Sequence, residues 1–181
     1  IIMRSRYKIF ETEAPYFITS TIVEWLPLFT SMPYFEILRS SFQFSQKKKQ
    51  LKIYAFVFMD NHVHAILQHP QLSRIMQSIK SYTAFEILKQ LKEDKKVWAL
   101  NVLQNYKLPH KNESRYQVWQ EGFHPQLITD DDMLTQKIEY IHWNPVKRGF
   151  VDTPEAWRYS SARTFAGEQG VVEVDSLEVL L

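Results

Sequence analysis

Leu51-Lys52-Ile53-Tyr54-Ala55-Phe56-Val57-Phe58-Met59-Asp60-Asn61-His62-Val63-His64-Ala65-Ile66-Leu67-Gln68 reads as a strand, a two-residue turn and a second strand. The first nine residues form a nearly continuous apolar run, the pattern of a strand buried on both faces. Asp60 and Asn61 tolerate the left-handed backbone of a tight hairpin turn. His62 to Gln68 then returns beside the first strand.

The surroundings extend this hairpin into a sheet. Upstream, Tyr16 to Val23 is rich in β-branched and aromatic residues and predicts another strand. Pro27 and Pro33 mark a loop. From about Tyr34 to Lys49, Phe35, Leu38 and Phe42 recur at helical spacing and run into a basic end. Downstream, Leu72 to about Glu93 predicts a long helix whose stripe is Leu72, Ile75, Met76, Ile79, Thr83, Ile87 and Leu91. Residues 101–116 lack periodicity and predict a loop, and a short strand falls within 118–128. Asp130-Asp131-Asp132 suits the positive end of a helix that runs to about Trp143, just before Pro145. The tail, roughly 152–181, carries Trp157 and Tyr159 and predicts a short packed helix. This order implies an antiparallel sheet of about four or five strands with helices packed on one face, a ferredoxin-like α+β arrangement.

Composition sets the bounds. The 181 residues suit a single domain, 1–181, with 152–181 as its C-terminal tail. Hydrophobic content of 45% and charged content of 23% belong to an ordinary globular chain. No stretch approaches the roughly 20 apolar residues of a membrane span. The N-terminus has no apolar signal core, and Met3 reads as a natural start with Ile1 and Ile2 upstream of it. The expected compartment is the cytoplasm. With no cysteine, disulfides and thiolate ligands are excluded, so a metal site has to use His, carboxylate or amide groups. A net charge of +2 speaks only weakly for a polyanionic partner, although Lys47-Lys48-Lys49 and Lys147-Arg148 are local basic clusters.

Two pairs of residues can carry chemistry. On a strand, His62 and His64 point to the same face and Val63 to the other, which makes the imidazoles a ready pair of metal ligands. They fit equally well as two partly buried, hydrogen-bonded histidines. On the last long helix, Tyr140 and Asn144 are four residues apart and lie about 40° apart around the axis. Tyr140 fits as well at the edge of the core with its hydroxyl in water. His69, His110 and His124 belong to loops or turns, and His142 packs or caps. Tyr159 is the rival nucleophile, but it has no partner at helical ligand spacing.

Tyr140-Ile141-His142-Trp143-Asn144-Pro145-Val146, then Gly149, then Trp157-Arg158-Tyr159-Ser160-Ser161 resembles the C-terminal signature of the REP-associated tyrosine transposases. These belong to the single-tyrosine branch of the HUH (His-hydrophobic-His) nucleases. Phe58-Met59-Asp60-Asn61-His62-Val63-His64 resembles the hairpin and metal motif of the same family, and Val118-Trp119-Gln120-Glu121-Gly122-Phe123 with Gln126-Leu127-Ile128 resembles the approach to its tyrosine helix. The similarity runs from about Tyr16 to Arg163 with the motifs in the expected order.

The resemblance implies an HUH nuclease fold and a transposase that cleaves and rejoins single-stranded DNA at hairpins, such as repetitive extragenic palindromes, through a 5′-phosphotyrosine link. It makes Tyr140 the nucleophile, His62 and His64 metal ligands, and Asn144 the candidate third ligand. The implied cofactor is a divalent ion, Mg2+ or Mn2+. A phenol, with a reference pKa of ~10, is a poor nucleophile until a nearby cation favours the phenolate. Pro145 disfavours helical geometry at Asn144, which leaves the direction of that side chain open. Lys147 and Arg148 are candidate phosphate contacts near the cut, with Arg74 and Lys80 along the adjacent helix and Arg163 in the tail. A monomer and a helix-swapping homodimer both remain open. The competing readings are a domesticated hairpin-binding protein that does not cut, a replication-type nickase with the same chemistry, and a two-histidine hydrolase acting through water.

Overall fold

The computed structural model describes residue 9, residues 13–111 and residues 113–176. Met3 and the two residues before it lie outside these, as do the last five residues of the tail. The elements in chain order are β1 (Tyr16–Thr21), a tight turn (Val23–Trp25), α1 (Met32–Lys49), β2 (Lys52–Phe58), β3 (His62–Gln68), α2 (Leu72–Glu93), α3 (Val97–Asn105), β4 (Gln126–Leu127) and α4 (Asp131–Lys147). A short 3-10 turn (Pro154–Ala156) and α5 (Ala162–Phe165) follow.

The four strands lie in the order β2-β3-β1-β4. The central pair is in register from Tyr16 opposite Leu67 to Thr21 opposite His62, and all the pairings are antiparallel. This is the α+β antiparallel sheet that the sequence predicts. Period-two alternation sends Ile18, Val63, Ala65 and Leu67 to one face, where Phe35, Leu38 and Phe42 of α1 and Ile75, Ile79 and Ile87 of α2 cover them. An irregularity between Ile53 and Ala55 turns Tyr54 and Ala55 to the opposite face.

That opposite face corrects one expectation, because the helices do not all pack on one side. α4 lies across it, burying Leu134 and Ile141 against Phe17, Val57 and Ile66. The near-continuous apolar run of β2 is the reason: a strand apolar on both faces needs a cover on each.

Three local expectations are also corrected. Residues 97–105 form α3, although 101–116 read as loop; Ala99 and Leu103, one turn apart, are the buried contacts that hold it. α4 does not stop at Trp143 but continues through Pro145 to Lys147. Proline removes one donor near the helix end, and the chain closes there by bonds from Arg148 to the Asn144 carbonyl and from Phe150 to the Pro145 carbonyl. Finally, neither Asp60 nor Asn61 is among the residues with positive φ. The turn is held instead by tertiary bonds, from Phe29 N–H to the Asp60 carbonyl and from Ile22 N–H to the Asn61 carbonyl.

The tail runs along the free edge of β2. Phe58 N–H donates to the Tyr159 carbonyl at 2.8 Å, Ser161 N–H to the Phe56 carbonyl at 2.9 Å and Asp175 N–H to the Ile53 carbonyl at 2.8 Å. These bonds cover backbone groups that an edge strand would otherwise expose.

Candidate active site

Because His62 and His64 share a face of β3, and α4 crosses that same face, the two histidines meet the tyrosine helix. Tyr140 is 40% exposed, and its ring stands edge-on to His64 at 5.1 Å and to Phe17 at 5.9 Å. The two imidazoles are 4.6 Å apart between centroids. Asn144 continues helical and therefore stays on the Tyr140 face one turn further on, which answers the question that Pro145 raised. His62, His64, Tyr140, Asn144, Lys147 and Arg148 line one cleft of about 650 Å³, with Phe17, Thr19, Trp25, Gln126 and Lys137.

The histidines are oriented by groups that sequence reasoning did not single out. Asn61 is buried, and its Nδ2 donates to the Trp25 carbonyl at 2.9 Å, which leaves Oδ1 facing His62 Nδ1 at 2.7 Å. An amide oxygen only accepts, so Nδ1 carries the proton and Nε2 of His62 keeps its lone pair, with the Asn144 side chain beside the ring. His64 Nδ1 lies 2.8 Å from Thr19 Oγ1, directly across the β1–β3 pairing. Burial lowers the pKa of His62 to about 4, helped by the positive charge of Arg148 and partly offset by the Asn144 side chain. Burial also lowers His64 to about 3, with His62 adding to the effect. Both rings are therefore neutral at physiological pH, the state in which imidazole binds a metal.

A divalent ion fits this donor set. Asn144 Oδ1 is buried and makes no hydrogen bond of ordinary geometry among the described residues, although its side chain lies close enough to the His62 ring to favour the charged imidazole. An acceptor left that poorly satisfied carries a desolvation cost unless something binds it. Among those residues no cluster of three or more His, Cys, Asp or Glu side chains could hold a metal. The two imidazoles and the Asn144 amide oxygen are donors that the cleft brings together, with Gln126 and the Tyr140 hydroxyl also on its lining.

The charge of the cleft is cationic. Lys137 Nζ sits 4.6 Å from the Phe17 ring and Lys147 Nζ 5.8 Å from the Tyr140 ring. Arg148 pairs loosely with Asp60 of the hairpin turn at 3.6 Å. Lys137 was legible in principle, since it precedes Tyr140 by three residues and so shares its face.

The remaining predicted contacts lie elsewhere. Lys80, on α2, lines a different cavity of about 670 Å³ and donates to the Gln120 and Gly122 carbonyls. Burial lowers its pKa to about 8. Arg74 bonds Gln71, the residue just before α2, and Arg163 pairs with Glu168 at 2.8 Å. Tyr159 is buried and stacked on Phe35 at 3.9 Å, a packing role. His142 is buried with Nε2 2.9 Å from Ser161 Oγ, which ties α4 to the tail.

Comparison with known proteins gives three likenesses. A family model described as "Transposase IS200 like" matches residues 3–106, which include β1 through α3 and both site histidines but not α4. A Haemophilus influenzae protein named for the REP-associated tyrosine transposases is 26% identical over 131 residues, covering 71% of this chain and 68% of its own. An uncharacterized protein of the same bacterium is 26% identical over 110 residues, covering 54% of this chain and 56% of its own, little more than half its length. Among solved structures, a REP-associated tyrosine transposase bound to a REP hairpin has a similar fold, with a TM-score of 0.67 at 19% identity over 97% of this chain and 93% of that one.

Proposed function

Because the chain belongs to the IS200-like transposase family, we propose that it cleaves and rejoins single-stranded DNA beside a hairpin, with Tyr140 as the nucleophile. The observation that carries this reading is the cleft itself, where Tyr140 from α4 meets His62 and His64 from β3 and the buried, poorly satisfied Asn144 oxygen. A REP hairpin is the ligand of the similar solved structure, and a hairpin-bearing strand is the substrate class proposed here.

The Tyr140 oxygen attacks the scissile phosphorus and gives up its proton. The bond from phosphorus to the 3′ oxygen breaks, and that oxygen leaves as a hydroxyl. One phosphodiester has been exchanged for another, so a second 3′-hydroxyl can attack the phosphotyrosine and restore a DNA strand without an external energy source. His62, His64 and Asn144 would hold Mg2+ or Mn2+, and the bound ion supplies positive charge to the non-bridging phosphate oxygens as negative charge builds there. Asn61 and Thr19 keep the two imidazoles turned toward the cleft. Lys137, Lys147 and Arg148 attract the strand and offset its charge, whereas Arg74, Lys80 and Arg163 stand outside the cleft. One chain brings all of these groups together, which supports a monomer as the working unit, with a helix-swapped homodimer as the alternative. The same reading takes 1–181 as one domain, with the tail strapped along β2.

The test is incubation of labelled single-stranded hairpin DNA with Mn2+ and either wild-type protein or Tyr140→Phe. Cleavage that leaves protein on the 5′ end, and that the substitution reduces by at least about a thousandfold, is the expected result. Cleavage that survives Tyr140→Phe would replace this reading with water-directed hydrolysis by the same two histidines. Binding without cleavage by wild type, over a panel of hairpins, would leave a binding protein.

A further inference from the structure

Trp25 stands at the mouth of the cleft, where the covalent chemistry has no use for it. Its ring meets His62 edge-on at 5.9 Å and is 56% exposed. Single exposed apolar residues are common on any surface. The backbone sets this one apart. Glu24 and Trp25 are consecutive non-glycine residues with φ of 55° and 53°, a left-handed conformation that L side chains resist and that a chain keeps only where its surroundings enforce it.

Those surroundings are specific. Trp25 N–H donates to the Ile22 carbonyl at 3.0 Å, and the Trp25 carbonyl accepts from the buried Asn61 Nδ2 at 2.9 Å. Ile22 N–H in turn donates to the Asn61 carbonyl at 2.9 Å. The side chain that orients His62 therefore also pins the turn, and the indole is kept at the cleft mouth rather than buried in the core. Lys137, Lys147 and Arg148 line the same cleft, and no carboxylate is among its lining residues, although Arg148 also pairs with Asp60 at 3.6 Å. Such a cleft suits a ligand that is anionic along its backbone and flat and apolar on its side groups.

We propose that Trp25 is a stacking platform for an unpaired base of the DNA strand next to the scissile phosphate. The inference rests on the reading of the cleft as a strand-cleaving site and adds a contact through which the strand is positioned. Base–aromatic stacking tolerates any base, because every base has a π-face. The cations hold phosphates while the indole fixes where along the strand the nucleotide sits.

The test uses binding, so it does not depend on cleavage or on the target sequence. Affinities of wild type, Trp25→Ala and Trp25→Phe are compared for an oligodeoxythymidine of about 12 nucleotides and for a wholly abasic deoxyribose-phosphate strand of equal length. The expected result is a loss of about 5- to 100-fold for Trp25→Ala on oligodeoxythymidine, little change on the abasic strand, and substantial recovery in Trp25→Phe. Equal losses on both strands would show that Trp25 only shapes the cleft, and no loss on either would show that it is idle; each overturns the proposal. Failure of wild type to bind either strand would overturn the reading of the cleft along with it.

Discussion

At the residue scale, the site depends on two asparagines with different tasks. Asn144 brings a buried oxygen without a well-formed hydrogen bond to the cleft, and Asn61 sets the tautomer of His62. Removing a group that orients a ligand typically costs 10- to 100-fold in metal affinity. Asn61→Ala should therefore weaken Mn2+ binding by about that factor, and Asn144→Ala by at least about tenfold, in calorimetric titration of the protein without DNA. Unchanged titration for Asn144→Ala would remove it from the metal site; for Asn61→Ala it would show that the ring keeps its orientation unaided. Much at this scale was legible. A spacing of two on a strand and of four on a helix suffices to pair His62 with His64 and Tyr140 with Asn144. Asn61, Thr19 and Trp25 were not legible, because their roles arise only when the turn at 23–25 and strand β1 come against the hairpin.

At the element scale, α4 is the part whose placement matters most, and its anchorage is unusual for a surface helix. His142 Nε2 lies 2.9 Å from Ser161 Oγ, and that hydroxyl also accepts from Phe56 N–H at 2.9 Å. A single buried serine thus joins the tyrosine helix, the tail and β2. Ser161→Ala leaves a ring nitrogen without its buried partner, which should cost about 1–3 kcal/mol of stability by denaturant unfolding. A change within about 0.5 kcal/mol would show that the latch contributes nothing. The boundaries of α4 and α3 show where sequence reading ran out. Asp130 announces the start of α4 and its side chain does accept from Met133 N–H at 2.8 Å. Pro145 seemed to announce the end, but a proline in the last turn costs one bond, and Ile141, buried beneath it, keeps the helix packed on the sheet. α3 carries no side-chain cap at Lys96 and spans nine residues, so tertiary contacts rather than local signals decide it.

For the whole molecule, the sheet divides the labour between its faces. One face with α1 and α2 is core; the other is only partly closed by α4, and the open remainder is the cleft. The apolar run of β2 implied burial on both faces, yet no pattern in one strand says which helix supplies the second cover. Placing imidazoles in that cleft also shapes stability. Burial lowers His62 and His142 to about 4 and His64 to about 3, well below the ordinary imidazole value of about 6.5. A group whose folded pKa is depressed binds fewer protons in the native state, so its contribution is complete above the free value and is lost as pH falls toward the folded one. Metal-free protein should accordingly lose stability steadily from about pH 7 to about pH 5, before most carboxylates titrate. A flat profile over that range would mean that these rings are not buried neutral. No helix among the described residues is long and apolar enough to cross a membrane. The direct measurement is mass spectrometry of the protein after reaction with single-stranded hairpin DNA and Mn2+ and digestion of the attached strand. The expected result is a nucleotide remnant on the peptide that contains Tyr140 and on no other. A remnant on another residue, or DNA cleavage that leaves none at all, would contradict it.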